Sequence, residues 1–188
     1  AGLEQKCPYC REPVPKTDEE IERNLMERVK ANDPAAIFKM GVKCEEEGDF
    51  EGAIQYWIKA AELGDIEAHY NLSCYYREGR QGVERDEKKK MHHMEEAAIG
   101  GHPTARYNLG RHAWSNRRYD RAMRHFIISA KQGFDDALDA VKHGFQTKDV
   151  NKEDFEAALR GHQAAVDETK SEQRAAAYEF FNSARLWA

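Results

Sequence analysis

Small residues return in one register along this chain, and that constrains the fold more than any single motif. Ala36, Ala68, Ala105 and Ala137 stand 32, 37 and 32 residues apart. Met40, Leu72, Leu109 and Val141 keep the same offsets. The pairs Ala60-Ala61, Ala97-Ala98 and Ser129-Ala130 repeat at 37 and 32, as do Gly64, Gly101 and Gly133. Landmarks that recur together at a period of this size mark stacked supersecondary units.

The units read as helix pairs. Alanines at the recurring positions allow close approach of two helices. Gly41 and Gly110 do the same on first helices, with Ser73 in that place between them. Large apolar residues should fill the layer: Leu72, Tyr76, Met94 and Ile99, then Leu109, Phe126 and Ile127. Each recurring glycine suits the left-handed position after a helix. Asp33-Pro34 and His102-Pro103 each place proline at a first helical position.

The spacing divides the chain as follows. Residues 1–16 are a polar, Pro-punctuated segment, and residues 17–33 a leading helix opened by a Thr17/Glu20 capping box, with Ile21, Leu25, Met26 and Val29 on one stripe. Repeats are predicted at 34–64, 65–101 and 102–133, with a degenerate one from 134 to 151 and beyond. Residues 152–188 supply capping helices: one after Asn151, another from Ser171 with Tyr178, Phe181 and Leu186. Irregular ends are expected where an open core edge must be covered. The fold class that follows is all-α: a right-handed solenoid of helix pairs.

Composition agrees. With 40% hydrophobic and 34% charged residues and five prolines, the chain suits a helical globular protein. A net charge of −5 argues against general polyanion binding, so nucleic acid is not expected. No run approaches the ~20 apolar residues that span a bilayer, so no membrane partner is expected. Isolated Cys44 and Cys74 read as small buried thiols, and nothing in the sequence resembles a disulfide framework, which favours a reducing, intracellular setting, cytoplasmic or nuclear. The chain opens at Ala1, which leaves room for an N-terminal address outside it.

Residues 66–101 carry Ala68, Leu72, Tyr76, Gly82, Val83, Asp86, Lys89, Ala97, Ala98 and Gly101. These resemble the pattern of Sel-one-like repeats, helix pairs related to tetratricopeptide repeats. The resemblance covers about residues 34–145 and implies a non-enzymatic scaffold that binds a protein or peptide on a concave face lined by first helices. The register puts Phe38, Tyr70 and Tyr107 at one first-helix position, Cys74 and Arg111 at a second, Arg77 and Trp114 at a third, with Asn71 and Asn108 alongside. Aromatics with interspersed arginine are the composition of interface hot spots. The competing reading is that these aromatics pack on neighbouring helices.

Charge suggests an acidic partner. Residues 102–133 hold seven basic residues (Arg106, Arg111, Arg117, Arg118, Arg121, Arg124 and Lys131) against Asp120, whereas residues 34–64 are acidic. No catalytic residues are predicted. The neighbours His92 and His93 point in different directions on a helix and read as packing and surface.

Cys7-Pro-Tyr-Cys10 followed by Arg11, Pro13 and Val14 resembles the last knuckle of a RING-type zinc finger. That resemblance implies zinc at Cys7 and Cys10 with ligands from outside this chain, since a tetrahedral site needs four. It further implies a RING-type ubiquitin ligase as the intact protein, with a ubiquitin-conjugating enzyme as partner and the repeats recruiting substrate. A thiol-redox pair is the competing reading.

Overall fold

The structure is a computed structural model that describes residues 17–79 and 83–169. Those residues form helices α1 (Asp18–Lys30), α2 (Pro34–Glu46), α3 (Phe50–Glu62), α4 (Ile66–Glu78), α5 (Glu87–Ile99), α6 (Pro103–Ser115), α7 (Tyr119–Lys131), α8 (Asp135–Gln146) and α9 (Lys152–Thr169). No strand occurs among the described residues. The expected all-α fold of helix-pair repeats is what forms. The chain divides into two compact units, residues 1–90 and 91–188, with the boundary inside α5.

The recurring residues make a common joint. At the end of α3, Gly64 (φ 88°) donates its N–H to the Ala61 carbonyl at 2.8 Å, and Asp65 donates to Ala60 at 2.9 Å. After α5, Gly101 (φ 99°) and His102 donate in the same way to Ala98 and Ala97. After α7, Gly133 (φ 87°) and Phe134 donate to Ala130 and Ser129. This is the Schellman closure. It explains why the small pair and the glycine keep a fixed distance: the pair supplies the two carbonyls the turn must satisfy.

The residue after each glycine opens the next helix. Asp65 accepts the Ala68 N–H at 2.8 Å. His102 accepts the Ala105 N–H on Nδ1 at 3.2 Å, a capping role its sequence position did not suggest. Asp33 and Thr17 cap α2 and α1 as expected, at 3.0 Å to the Ala35 N–H and 3.2 Å to the Glu20 N–H. Asp86 caps α5, accepting from Lys88 and Lys89, and Asn151 caps α9.

In the first unit the core gathers on Trp57, which is fully buried with Ile37, Ala53, Ala60, Ala68 and Leu72. Phe38 lies 6.5 Å from the Trp57 ring and Tyr75 meets it edge-on at 5.1 Å. The Tyr75 hydroxyl donates to Glu45 Oε1 at 2.5 Å, linking α4 to α2. At the unit's end the Asp86 N–H donates to the Tyr76 carbonyl and Lys89 sits over the Tyr76 ring.

In the second unit Ala113, Ala122, Met123, Phe126, Ala137, Leu138, Val141 and Ala158 form one cluster. Gly110 lets α6 lie against α7: a Cβ there would fall 2.5 Å from Phe126 Cε1. Buried Ser129 donates to the Pro103 carbonyl at 2.8 Å, which ties the two helices at their other end. Phe145 and Phe155 stack at 4.4 Å between α8 and α9.

Some expectations fail. Ile99 was assigned to the interhelical layer and is 72% exposed. It is the last residue of α5, one position past buried Ala97-Ala98, so the helix turns it outward. Ile21 and Met26 on the α1 stripe are exposed; among the described residues the apolar side of α1 is half-buried at Leu25 and Val29. Cys44 and Cys74 are half-buried rather than buried. The expected helix from Ser171, with Tyr178, Phe181 and Leu186, lies outside the described residues, as does Gly82 of the middle turn.

Candidate peptide-binding surface

An α-helix turns about 100° per residue, so positions i, i+4 and i+7 form one stripe. Tyr70, Cys74 and Arg77 occupy such a stripe on α4, and Tyr107, Arg111 and Trp114 the equivalent one on α6. Each stripe lies within a single unit. Asn71 and Asn108 flank them, both half-buried.

On α4, Tyr70 and Cys74 are half-buried and Arg77 is exposed. The Arg77 guanidinium holds Glu78 Oε1 at 2.7 Å, and that hydrogen bond raises the arginine's affinity for its proton. Asn71, Cys74, Tyr75 and Glu78 border a cavity of about 140 Å³ together with Glu45. The first unit thus presents both signs of charge around a polarizable thiol.

On α6 the three positions differ in kind. Tyr107 packs 5.3 Å from Phe126 and 5.2 Å from Phe134, so its ring is tied into the core of its unit. Phe38 on α2 has a similar tie to Trp57. Trp114 is 37% exposed, its ring held edge-on by Tyr119 at 4.7 Å. Arg111 is exposed and in no ion pair among the described residues. Trp114 and Arg111 are the residues of this stripe that stay exposed, the indole held only at its edge by Tyr119.

A second feature went unread in the sequence. Arg118, just before α7, and Arg121 and His125 on it fall on one stripe and border a cavity of about 150 Å³ with His112 of α6, Asn116 just after α6 and Glu95 of α5. Burial, with the guanidiniums of Arg106 and Arg121 adding to it, holds His125 below the ordinary histidine range. The i, i+3, i+7 spacing of Arg118, Arg121 and His125 was the available signal.

Cys7 and Cys10, the expected metal ligands, lie outside the described residues. Among the described residues, no group of three or more His, Cys, Asp or Glu side chains is placed to hold a metal ion. None of the described helices is long and apolar enough to cross a membrane. His92 is exposed and His93 half-buried, their rings 5.1 Å apart.

With this geometry in hand, known proteins give a consistent answer. The chain is similar to a crystallised Sel1 repeat protein from Oxalobacter formigenes: 28% identity, 65% of this chain and 98% of that one, TM-score 0.58. It also resembles in fold c5321, a protective antigen present in uropathogenic Escherichia coli strains and displaying an SLR fold. There the identity is 20% and the TM-score 0.62, over 79% of this chain but 34% of that one, so this chain spans about a third of its length. No curated protein matches the chain. The Sel1 repeat profile matches residues 34–65, 66–102 and 103–134, more than half of the sequence. With joints, caps and close-approach residues all repeating in that register, this chain belongs to the Sel1 repeat family, whose members generally mediate protein–protein interaction.

Proposed function

We propose that this chain is a non-enzymatic interaction scaffold that binds a peptide or protein, preferably acidic, through its first-helix stripes. The observation that carries the reading is the Arg111–Trp114 pair: an indole fixed by Tyr119 beside a guanidinium with no ion pair among the described residues. A rigid aromatic next to an uncommitted arginine is the pairing that dominates many interface energies. The excess of arginine in residues 102–133 favours a partner of negative charge and speeds its approach. In the first unit Tyr70, Cys74 and Arg77 offer a second stripe of the same kind, with Asn71 available to a peptide backbone. The test is affinity capture with quantitative mass spectrometry, comparing the chain with an Arg111→Glu, Trp114→Ala double variant of unchanged helicity. Partners specific to the repeats should disappear with the variant; an unchanged set would remove the reading.

A second reading rests on Cys7-Pro-Tyr-Cys10. In it the intact protein is a RING-type ubiquitin ligase, zinc is held partly by these cysteines, and the repeats recruit substrate. Purified full-length protein that discharges ubiquitin from a conjugating enzyme, and loses this on Cys10→Ser, would support it. Absence of discharge with a broad enzyme set would remove it.

A further inference from the structure

On α6, the residues that border the 150 Å³ cavity lie on the side away from the Tyr107, Arg111 and Trp114 stripe. Counting about 100° per residue from Tyr107, His112 and Asn116 fall roughly 140° and 180° round the helix. The cavity is therefore a separate feature of the second unit.

Its walls are of two chemistries. Met91, Leu109 and Ala113 are apolar, whereas Arg118, Arg121, His112, His125 and Asn116 can donate hydrogen bonds. Neither Arg118 nor Arg121 is in an ion pair among the described residues. Asn116 donates to the His112 carbonyl at 2.8 Å, which fixes its side chain against α6. His125 keeps Nδ1 out of solvent with no hydrogen-bond partner among the described residues. The rim adds to this: Arg118, the residue before α7, makes no side-chain cap, so the N–H groups of the helix's first turn are not met by a side chain.

From this arrangement we infer that the cavity between α5, α6 and α7 is a second recognition site, which takes a glutamate side chain from an acidic partner peptide. The two guanidiniums and the open first turn of α7 receive the carboxylate. Met91, Leu109 and Ala113 receive the methylenes that carry it. Glu95 on the same wall sets the charge limit: a carboxylate brings one negative charge beside it, a phosphate group nearly two. The site is built for the single charge. The volume suits a group of this size, being close to that of an engineered cavity that holds one benzene ring, about 150 Å³.

The experiment is a two-dimensional amide NMR titration of the chain with acetyl-hexaglutamate-amide. Acetyl-hexalysine-amide and inorganic phosphate serve as comparison ligands. Saturable shifts should centre on residues 118–125 and on His125, with little response to hexalysine and weaker response to phosphate. Arg118→Gln with Arg121→Gln should weaken hexaglutamate binding by roughly tenfold or more, as expected for loss of two charge-assisted contacts. Arg117→Gln with Arg124→Gln removes the same net charge outside the cavity and should cost no more than about two- to threefold through screened attraction. Equal losses from the two pairs would overturn the site and leave general attraction. Phosphate binding as tightly as the peptide would overturn the glutamate assignment. Shifts centred on Arg111 and Trp114 would also overturn it, while supporting the first-helix reading. Conversely, the Arg111→Glu, Trp114→Ala chain should keep the shifts at residues 118–125, so the two sites fail separately.

Discussion

Gly41 and Trp57 share one space: a Cβ on Gly41 would lie 2.4 Å from Nε1 of the indole and 3.1 Å from the Ala53 carbonyl oxygen. The tryptophan is fully buried and is the largest side chain in its unit's core, so it has no room to withdraw. The contact is also why α2 and α3 can lie together along a face of Gly41 and Ala53.

Gly41→Ala should therefore destabilise the chain by about 1–3 kcal/mol, the range of overpacking a filled core. Urea denaturation would show a lower midpoint with an unchanged slope. Gly48→Ala is a useful companion, because nothing lies within 4 Å of its Cβ direction while its φ is +83°. That change should cost about 1 kcal/mol from backbone strain alone. Equal, small losses at both sites would contradict the packing account.

Arg117 occupies, after α6, the turn position that Gly48 occupies after α2. Its φ is +59°, and its N–H and that of Arg118 close onto Trp114 and Ala113 at 2.9 Å each. Four corresponding helix ends, at Gly48, Gly64, Gly101 and Gly133, use glycine in the left-handed region. Arg117→Gly should raise stability by up to about 1 kcal/mol, since the hydrogen bonds stay and the strain goes. Thermal melting at low and high salt checks it: the gain should persist in salt, which separates strain relief from charge removal.

The repeat register was legible because it is written in small residues that few others can replace, with Arg117 and Ser129 as exceptions. A left-handed turn selects glycine, a close helix crossing selects alanine or glycine, and both recur at fixed distances. Ala36, Ala68, Ala105 and Ala137 accordingly prove fully buried. Exposure at a helix end is written less plainly. Ile99 has the hydropathy of a core residue, and only the placing of Ala97-Ala98 against their neighbours shows that it faces outward. The cavity beside α7 was harder still, since its wall comes from three helices and each contributes residues that are ordinary on a solvated face. His102 was missed because a histidine cap is chemically possible but outranked by Asp and Ser in expectation.

His125 sets a pH dependence. Its pKa in the folded protein lies below the ordinary 6.5, chiefly through burial. Above that value both folded and unfolded chains carry neutral imidazole and the group is without effect. As pH falls below about 6.5 the unfolded chain takes up the proton first, so stability declines. The window lies above that of Asp33 and Asp86, whose carboxyls are held below 3.8 by Arg28 and by backbone N–H groups respectively. Urea midpoints at pH 7.5 and 5.5 should differ in the wild-type chain, and His125→Gln should reduce the difference. A variant with the full pH response would show that another group is responsible.

Tyr107 and Trp114 lie on one stripe of α6, yet their substitutions should separate stability from binding. The Tyr107 ring is wedged between Phe126 and Phe134, so Tyr107→Ala opens a gap in the core of its unit. A loss of about 2–3 kcal/mol is expected, below the full range for a wholly buried aromatic because Tyr107 is half-buried. Trp114→Ala gives up its edge contact with Tyr119 and some half-open surface, for about 1 kcal/mol or less. Binding should rank the other way at temperatures where both variants are folded: Trp114→Ala should lose the partner, and Tyr107→Ala should retain most of its affinity. Isothermal titration of the two variants, read beside their urea curves, checks both orders at once. If Tyr107→Ala abolishes binding while fully folded and Trp114→Ala does not, the bound segment lies deeper on the stripe than the exposed indole, and the anchor of the first-helix site moves to Tyr107.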